Sequence, residues 1–183
     1  MPPQPRPRPR VKSGMSRAFT KEDDSLEAPI IPPRPALPPG SANYVTPAGL
    51  EQLRQELAEL EAARTAAEAN HDNDADRTRR LTLLNGQLAA LSDRLASAKL
   101  VDPVTQPANE VRFGATVTLR PTSSKGPERR FTIVGVDEAD VSKGKIAFVA
   151  PIARAVQGAK SGQRITLQLG PKKEEVEVVR IEY

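Results

Sequence analysis

The sequence predicts an α+β protein, with an N-terminal antiparallel two-helix coiled coil followed by a small antiparallel sheet domain that carries one short helix. Three observations carry this. Leu50, Leu53, Leu57 and Leu60 follow a 3-4-3 spacing. Leu81, Leu84, Leu88, Leu91 and Leu95 follow 3-4-3-4. From residue 111 onward the helical period gives way to alternation of period two, punctuated by Gly and Pro.

Residues 1–43 hold 11 of the 18 prolines, and the first ten alternate Pro with Arg. Pro lacks the N–H that helix and sheet need, so this stretch is expected to be a disordered, extended tail and linker. It can bind acidic surfaces or an aromatic-lined groove, or act only as a solubilising extension, with Met15 as an alternative start. It has basic charge but no apolar run after it, so it is not read as a secretory signal.

Residues 44–103 are expected to form the hairpin. Thr46 suits the N-cap, and Pro47 suits the first helical position, where a missing N–H costs nothing. Val45 and Leu50 can close a hydrophobic staple. The arms are placed at about 47–70 and 74–99, with Asp72 or Asp74 capping the second at the positive end of its dipole. Folding the chain between residues 72 and 73 sets Leu57 against Leu88, Leu60 near Leu84, Leu53 near Leu91 and Leu50 near Leu95. Neither narrow seam buries enough to stand alone, so the two helices need each other. Arg64 and Ala67 interrupt the seam near the tip, which predicts looser packing there. Gly86 costs the second arm about 1 kcal/mol against Ala.

Residues 104–183 are expected to form the globular domain. Strands are predicted at 115–119, 130–134, 145–149, 164–169 and 174–183, with a turn at 122–126 and a helical turn or two at 152–156. In the last pair, Val176, Val178 and Ile181 face Ile165, Leu167 and Leu169. Phe113, Phe131 and Phe148 are expected in the core.

The chain has no Cys, which excludes disulfides and thiolate chemistry. Its net charge is +4, unevenly spread. Residues 1–43 carry seven Lys/Arg against four Asp/Glu, residues 44–103 seven against ten, and residues 104–183 thirteen against nine. An acidic arm on a basic body, with no Trp, four Phe and two Tyr, does not suit nucleic-acid binding, which uses exposed aromatic platforms. No apolar run approaches the about 18 residues a membrane span needs, and a soluble, cytoplasmic protein is expected.

The residues also carry a family likeness. The segments at 15–20, 43–50, 53–57 and 101–102, and above all those at 111–118 and 131–140, resemble the Gre family of bacterial transcript-cleavage and elongation factors. So do those at 151–155, 161–162 and 179–183. The N-terminal segment is closer to the GreB-type members. The resemblance implies an FKBP-like fold for the globular domain and bacterial RNA polymerase as the partner. It further implies that this domain grips the polymerase at the rim of its secondary channel while the coiled coil enters the channel. In the family, acidic residues at the tip help to hold a magnesium ion in the polymerase's own active site, a two-metal hydrolysis.

The chain departs from the family at the tip. Where the cleavage factors carry Gly-Asp-x-x-Glu-Asn-Ala, residues 70–77 are Asn-His-Asp-Asn-Asp-Ala-Asp-Arg. Against the family the hairpin is also shorter, by about one heptad per arm, or about 10 Å of reach. The expectation is therefore a polymerase-binding elongation regulator with weak or no stimulation of transcript cleavage. On this reading it is not an enzyme itself and has no catalytic residue, no cofactor and no metal of its own.

Asp72, Asp74 and Asp76 are the tip candidates for metal or polymerase active-site contact, though capping and solubility explain them equally well. Arg77, Arg79 and Arg80 are candidates for nucleic acid or polymerase, with pairing to Glu68 and its neighbours as the alternative. His71 has no partner ligand and is taken as a turn residue. Asp137, Glu138 and Asp140, read as an exposed acidic turn, are the polymerase-interface candidates together with Pro151, Ile152 and Arg154. Core packing is the stronger reading for Ile152, whereas the fork of Arg154 suits a partner carboxylate. Indirect contact with nascent RNA, competition with other secondary-channel factors, a monomeric state and no membrane contact complete the expectations. Rival readings are an active cleavage factor using the Asp-rich tip, an interaction module unrelated to polymerase, a prolyl-isomerase-like enzyme and a coiled-coil oligomer.

Overall fold

The computed structural model describes residues 29–122 and 126–183. The expected disorder of residues 1–28, the start at Met15 and residues 123–125 of the expected turn lie outside the described residues. In order, the elements are β1 (Asn43–Val45), α1 (Pro47–Ala69), α2 (Asp74–Ala96), β2 (Ala98–Leu100), β3 (Thr116–Pro121) and β4 (Arg129–Val134). They continue with β5 (Lys145–Ala147), α3 (Pro151–Val156), β6 (Arg164–Leu169) and β7 (Lys172–Glu182). This is an α+β architecture: a helical hairpin and a curled sheet domain.

The hairpin forms as its spacing requires. Thr46 caps α1, its hydroxyl oxygen accepting the Gly49 N–H at 2.9 Å, and Pro47 occupies the first turn. The cap of α2 is Asn73 rather than Asp72 or Asp74: its side chain accepts the N–H groups of Ala75 at 3.0 Å and Asp76 at 3.2 Å. Asp74 and Asp76 fall inside the first turn instead, where the helix dipole favours negative charge. Leu53 and Leu91 are fully buried with Val45, and Leu50, Leu57, Leu60 and Leu95 pack around them. Leu84, Leu88 and Ala67 are also buried, so Ala67 continues the seam towards the tip rather than interrupting it. The second arm ends at Ala96, not near 99, because β2 follows and pairs with β1. That pairing is parallel, so the chain descends through β1 and reverses at Thr46 before α1 climbs.

Residues 29–42 are not a free linker. They run extended along the hairpin: the Ile31 side chain fills the notch left by Gly86, and Arg34 reaches Glu56. Arg94 donates to the carbonyl of Pro35. Gly40, at φ 74°, then closes a turn in which the Ser41 N–H donates to Pro38.

The five-stranded sheet has the order β5-β4-β3-β7-β6. It is antiparallel except at β4 and β5, which pair in parallel, so the sheet is mixed where an antiparallel one was expected. The loop between these strands reverses twice, the second time through a 3-10 turn at Val141–Lys143 with Gly144 at φ 68°. Two reversals restore the original direction. Between β3 and β7 the register slips after Thr118: Thr118 faces Arg180, but Leu119 faces Val178. The bulge at Val179 changes the parity of β7. Val176 and Val178 therefore point inward on one side of it, and Ile181 and Tyr183 pack on the core from the other. Val117, Leu119, Phe131, Ile133, Leu167, Val176 and Val178 form the core with Ala153 and Val156 of α3. Phe131 is buried as expected, but Phe113 and Phe148 are only half-buried. They form an aromatic triad with Tyr44, with ring centroids 5.6 to 5.8 Å apart, because they cover the junction with β1 rather than the sheet interior.

Candidate functional site: hairpin tip and joint

The tip is built by a short turn between two capped helices. Asn70 accepts the Asp72 N–H at 2.9 Å, which starts the reversal that Asn73 completes. The Asn73 amide then donates to Asp76 at 2.7 Å, and Arg77 pairs with Asp74 at 2.9 Å. Arg77 also contacts the ring of His71, so His71 has a partner inside the turn. Two of the three tip carboxylates are thus engaged locally. Asp72 has no side-chain partner among the described residues and lines a groove of about 360 Å³ with Asp76, Arg77, Arg80 and the ends of both helices. Arg79 is exposed and does not line it. Among the described residues, no three His, Cys, Asp or Glu side chains gather as a metal would require. Pairs of this kind on an exposed turn contribute little to stability.

Asp137 and Glu138 are not an exposed acidic turn. Their side chains are 7% and 5% exposed, because both are consumed in the joint between hairpin and globular domain. Glu138 accepts the Thr46 hydroxyl and pairs with Lys145 at 3.0 Å, placing its carboxylate at the N-terminus of α1. Gly49 leaves room for it: a Cβ there would lie 2.6 Å from the Glu138 oxygen. Asp137 accepts from Arg34 at 2.9 and 3.1 Å. Arg94 approaches the other Asp137 oxygen at 3.3 Å, but neither that oxygen nor the Arg94 Nη1 completes a hydrogen bond, so the attraction there is Coulombic. Arg34 also grips Glu56 in a fork of 2.7 and 3.0 Å. The bonds to Glu56, then to Asp137, hold the Arg34 guanidinium above its ordinary range against the effect of burial.

Asp140 is half-exposed and caps the 3-10 turn. Bonds from Ser142 and then Lys143 hold its carboxyl at about 2, below the ordinary 3.8. A depressed carboxylate contributes stability fully above its unfolded value and loses it as pH falls through its folded one. A carboxyl-detected NMR titration should therefore find the Asp140 midpoint near 2, with the turn loosening only between about pH 4 and pH 2. A midpoint at the ordinary value would show that the cap does not form. Pro151 and Arg154 are exposed on α3, while Ile152 is half-buried and packs on the core.

Sequence reasoning missed Arg34, Glu56 and Arg94. An arginine among prolines and an arginine in a last helical turn carry no local sign of a common partner that lies 103 residues from the first and about 40 from the second.

A charged clasp thus joins the helical hairpin to the curled sheet in this chain. Residues 106–183 match the family described as transcription elongation factor, GreA/GreB, C-terminal. The transcription elongation factor GreB of Neisseria meningitidis serogroup A is 33% identical over 155 residues, covering 77% of this chain and 94% of the relative. GreA of Alkalilimnicola ehrlichii is 32% identical over 153 residues, covering 76% and 96%. The chain belongs to the GreA/GreB family of transcription elongation factors. A solved GreA/GreB factor from Nitrosomonas europaea is 26% identical, covering 76% of this chain and 98% of that one, at a TM-score of 0.38. A superposition that loose carries no argument, and the fold rests on the elements above.

Membership corrects one expectation. The chain was expected not to be an enzyme, whereas Gre factors are transcript-cleavage elongation factors that stimulate cleavage by RNA polymerase. Among the described residues, no helix is long and apolar enough to cross a membrane.

Proposed function

We propose that the chain binds bacterial RNA polymerase in the cytoplasm, holds it through the globular domain, and presents the hairpin at the secondary channel with weak stimulation of transcript cleavage. The observation that carries the weak stimulation is the state of the tip. A two-metal hydrolysis gains from free carboxylates aimed at the second metal and its water. Here Asp74 is held by Arg77 and Asp76 by Asn73, which leaves Asp72 as the one carboxylate in the groove without a side-chain partner among the described residues. One carboxylate on an exposed turn is a poor ligand set for magnesium, which asks for near-octahedral geometry. Each helix has 23 residues, an arm of about 35 Å. Positioning errors of about 1 Å already cost catalysis about a hundredfold.

The exposed Pro151 and Arg154 are the proposed polymerase contacts, with Arg154 offered to a partner carboxylate. Asp137 and Glu138 leave that list, because the joint uses them. Asp140 stays as a rim residue, and Arg79 and Arg80 remain the tip cations that can approach nascent RNA. On this reading the monomer competes with other factors for the channel.

Labelled full-length protein titrated with core RNA polymerase tests the partner. Saturable binding that an authentic Gre factor displaces is expected, with Arg154→Ala weakening it by about tenfold or more, as for an interface anchor. No saturable binding, or binding indifferent to the competitor, would remove the polymerase reading.

A further inference from the structure

We infer that residues 29–42 form a strap that sets the angle between the hairpin and the globular domain, with Arg34 as its positioning residue. The inference rests on the proposed function for its consequence, but not for its geometry.

Without the strap, the hairpin meets the globular domain only around its base, where Arg94 faces Asp137 and the Gln52 amide reaches the Asp137 carbonyl. Thr46 and Glu138 touch at the start of α1, and Tyr44 meets Phe113 and Phe148 just before it. Contacts gathered around the base make a short joint for a long arm. Arg34 adds a hold farther up that arm. Its guanidinium holds Glu56, ten positions beyond Thr46 and therefore about 15 Å up α1. The same group holds Asp137 of the globular domain at 2.9 and 3.1 Å. A hold farther up the arm fixes its angle more tightly than contacts at the base alone.

Arg34 is itself held in place. Ile31 occupies the Gly86 notch on α2, where any Cβ would collide with it. Arg94 of α2 donates to the Pro35 carbonyl and faces Asp137. Six prolines at 29, 32, 33, 35, 38 and 39 keep the segment extended, which lowers the entropy lost on docking. Gly86, a liability for an isolated helix, here supplies the socket. The lever is long. A rotation of about 10° at the base moves a tip about 35 Å away by about 6 Å. That exceeds the tolerance of any metal-centred reaction.

The chain has no Cys, so spin labels can be placed at will. Full-length protein carrying Ala69→Cys, at the tip end of α1, and Arg164→Cys, on the sheet, would report the angle as one distance by pulsed electron spin resonance. One narrow peak is expected in this parent. Arg34→Ala should lose that peak to a broad distribution while helical circular dichroism stays unchanged. Gly86→Leu evicts Ile31 with a better helix former, so loosening there cannot be ascribed to a weakened hairpin. A peak that stays narrow in both variants overturns the inference.

The functional arm separates the two readings. Arg34→Ala should bind polymerase as the parent does, yet lose its effect at saturating concentration. Unchanged effect at saturation in a variant with a broadened distance would deny the strap its role in aiming the tip. A parent that ignores polymerase would sink the function proposed above and leave the distance result standing.

Discussion

Asp137→Ala will lower the stability of the protein by about 3 kcal/mol, the low end of the about 3–5 kcal/mol that follows when one partner of a buried charge cluster is deleted. Asp137 is 7% exposed and faces Arg34 at 17% and Arg94 at 11%. Removing the carboxylate leaves two guanidiniums in a joint with little water. Two contacts limit the loss. Arg34 keeps its fork to Glu56, and Arg94 keeps the Pro35 carbonyl. Asp137→Asn retains an acceptor oxygen for Arg34 and should cost less, about 1–2 kcal/mol. Urea denaturation checks both, read as a shift of midpoint at constant slope. Equal costs for the two substitutions would show that packing rather than charge holds the joint. For a protein with about 5–15 kcal/mol of total stability, the alanine variant is a severe one.

Leu91→Ala will cost about 2–5 kcal/mol. Leu91 is fully buried, and with Leu53 and Val45 it closes the base of the hairpin. Truncation opens a cavity between two helices whose backbones are held apart by the remaining leucines, so collapse can fill it only in part. Leu60→Ala, at a half-buried site on the same seam, should cost clearly less. Thermal unfolding followed at 222 nm measures both. Similar values for the two would mean that the seam is uniformly loose, and that the base does not anchor the arm.

The hairpin was legible because one cause, burial of a narrow stripe, writes itself into spacing. The leucines could be placed from that alone, and Thr46 and Pro47 from the unpaired N–H groups that a helix start leaves. The five strands of the sheet domain were legible too, down to Ile181, although only the bulge at Val179 explains why Ile181 and not Arg180 faces inward, while β1 and β2 were missed. The joint was not legible. An Asp-Glu turn reads as solvated, and a Pro-rich run reads as free chain, because both are polar or extended by local rules. Their burial depends on Arg34, Arg94 and Thr46, which lie between about 40 and 100 positions away in sequence. The parallel pairing of β5 escaped for a similar reason: a loop that reverses twice has the same turn residues as one that reverses once. At the tip, the acidic residues were visible but their pairing was not. Asp74 and Asp76 lose their freedom to Arg77, which had been weighed for contact with nucleic acid or polymerase, and to Asn73, which had been given no role.

The most direct test is transcript cleavage in stalled, backtracked elongation complexes, with this protein and an authentic cleavage factor compared at saturating concentration. The account predicts that the protein occupies the polymerase yet yields cleavage slower by about a hundredfold or more, as a misplaced ligand set should. Cleavage at the rate of the authentic factor would contradict it.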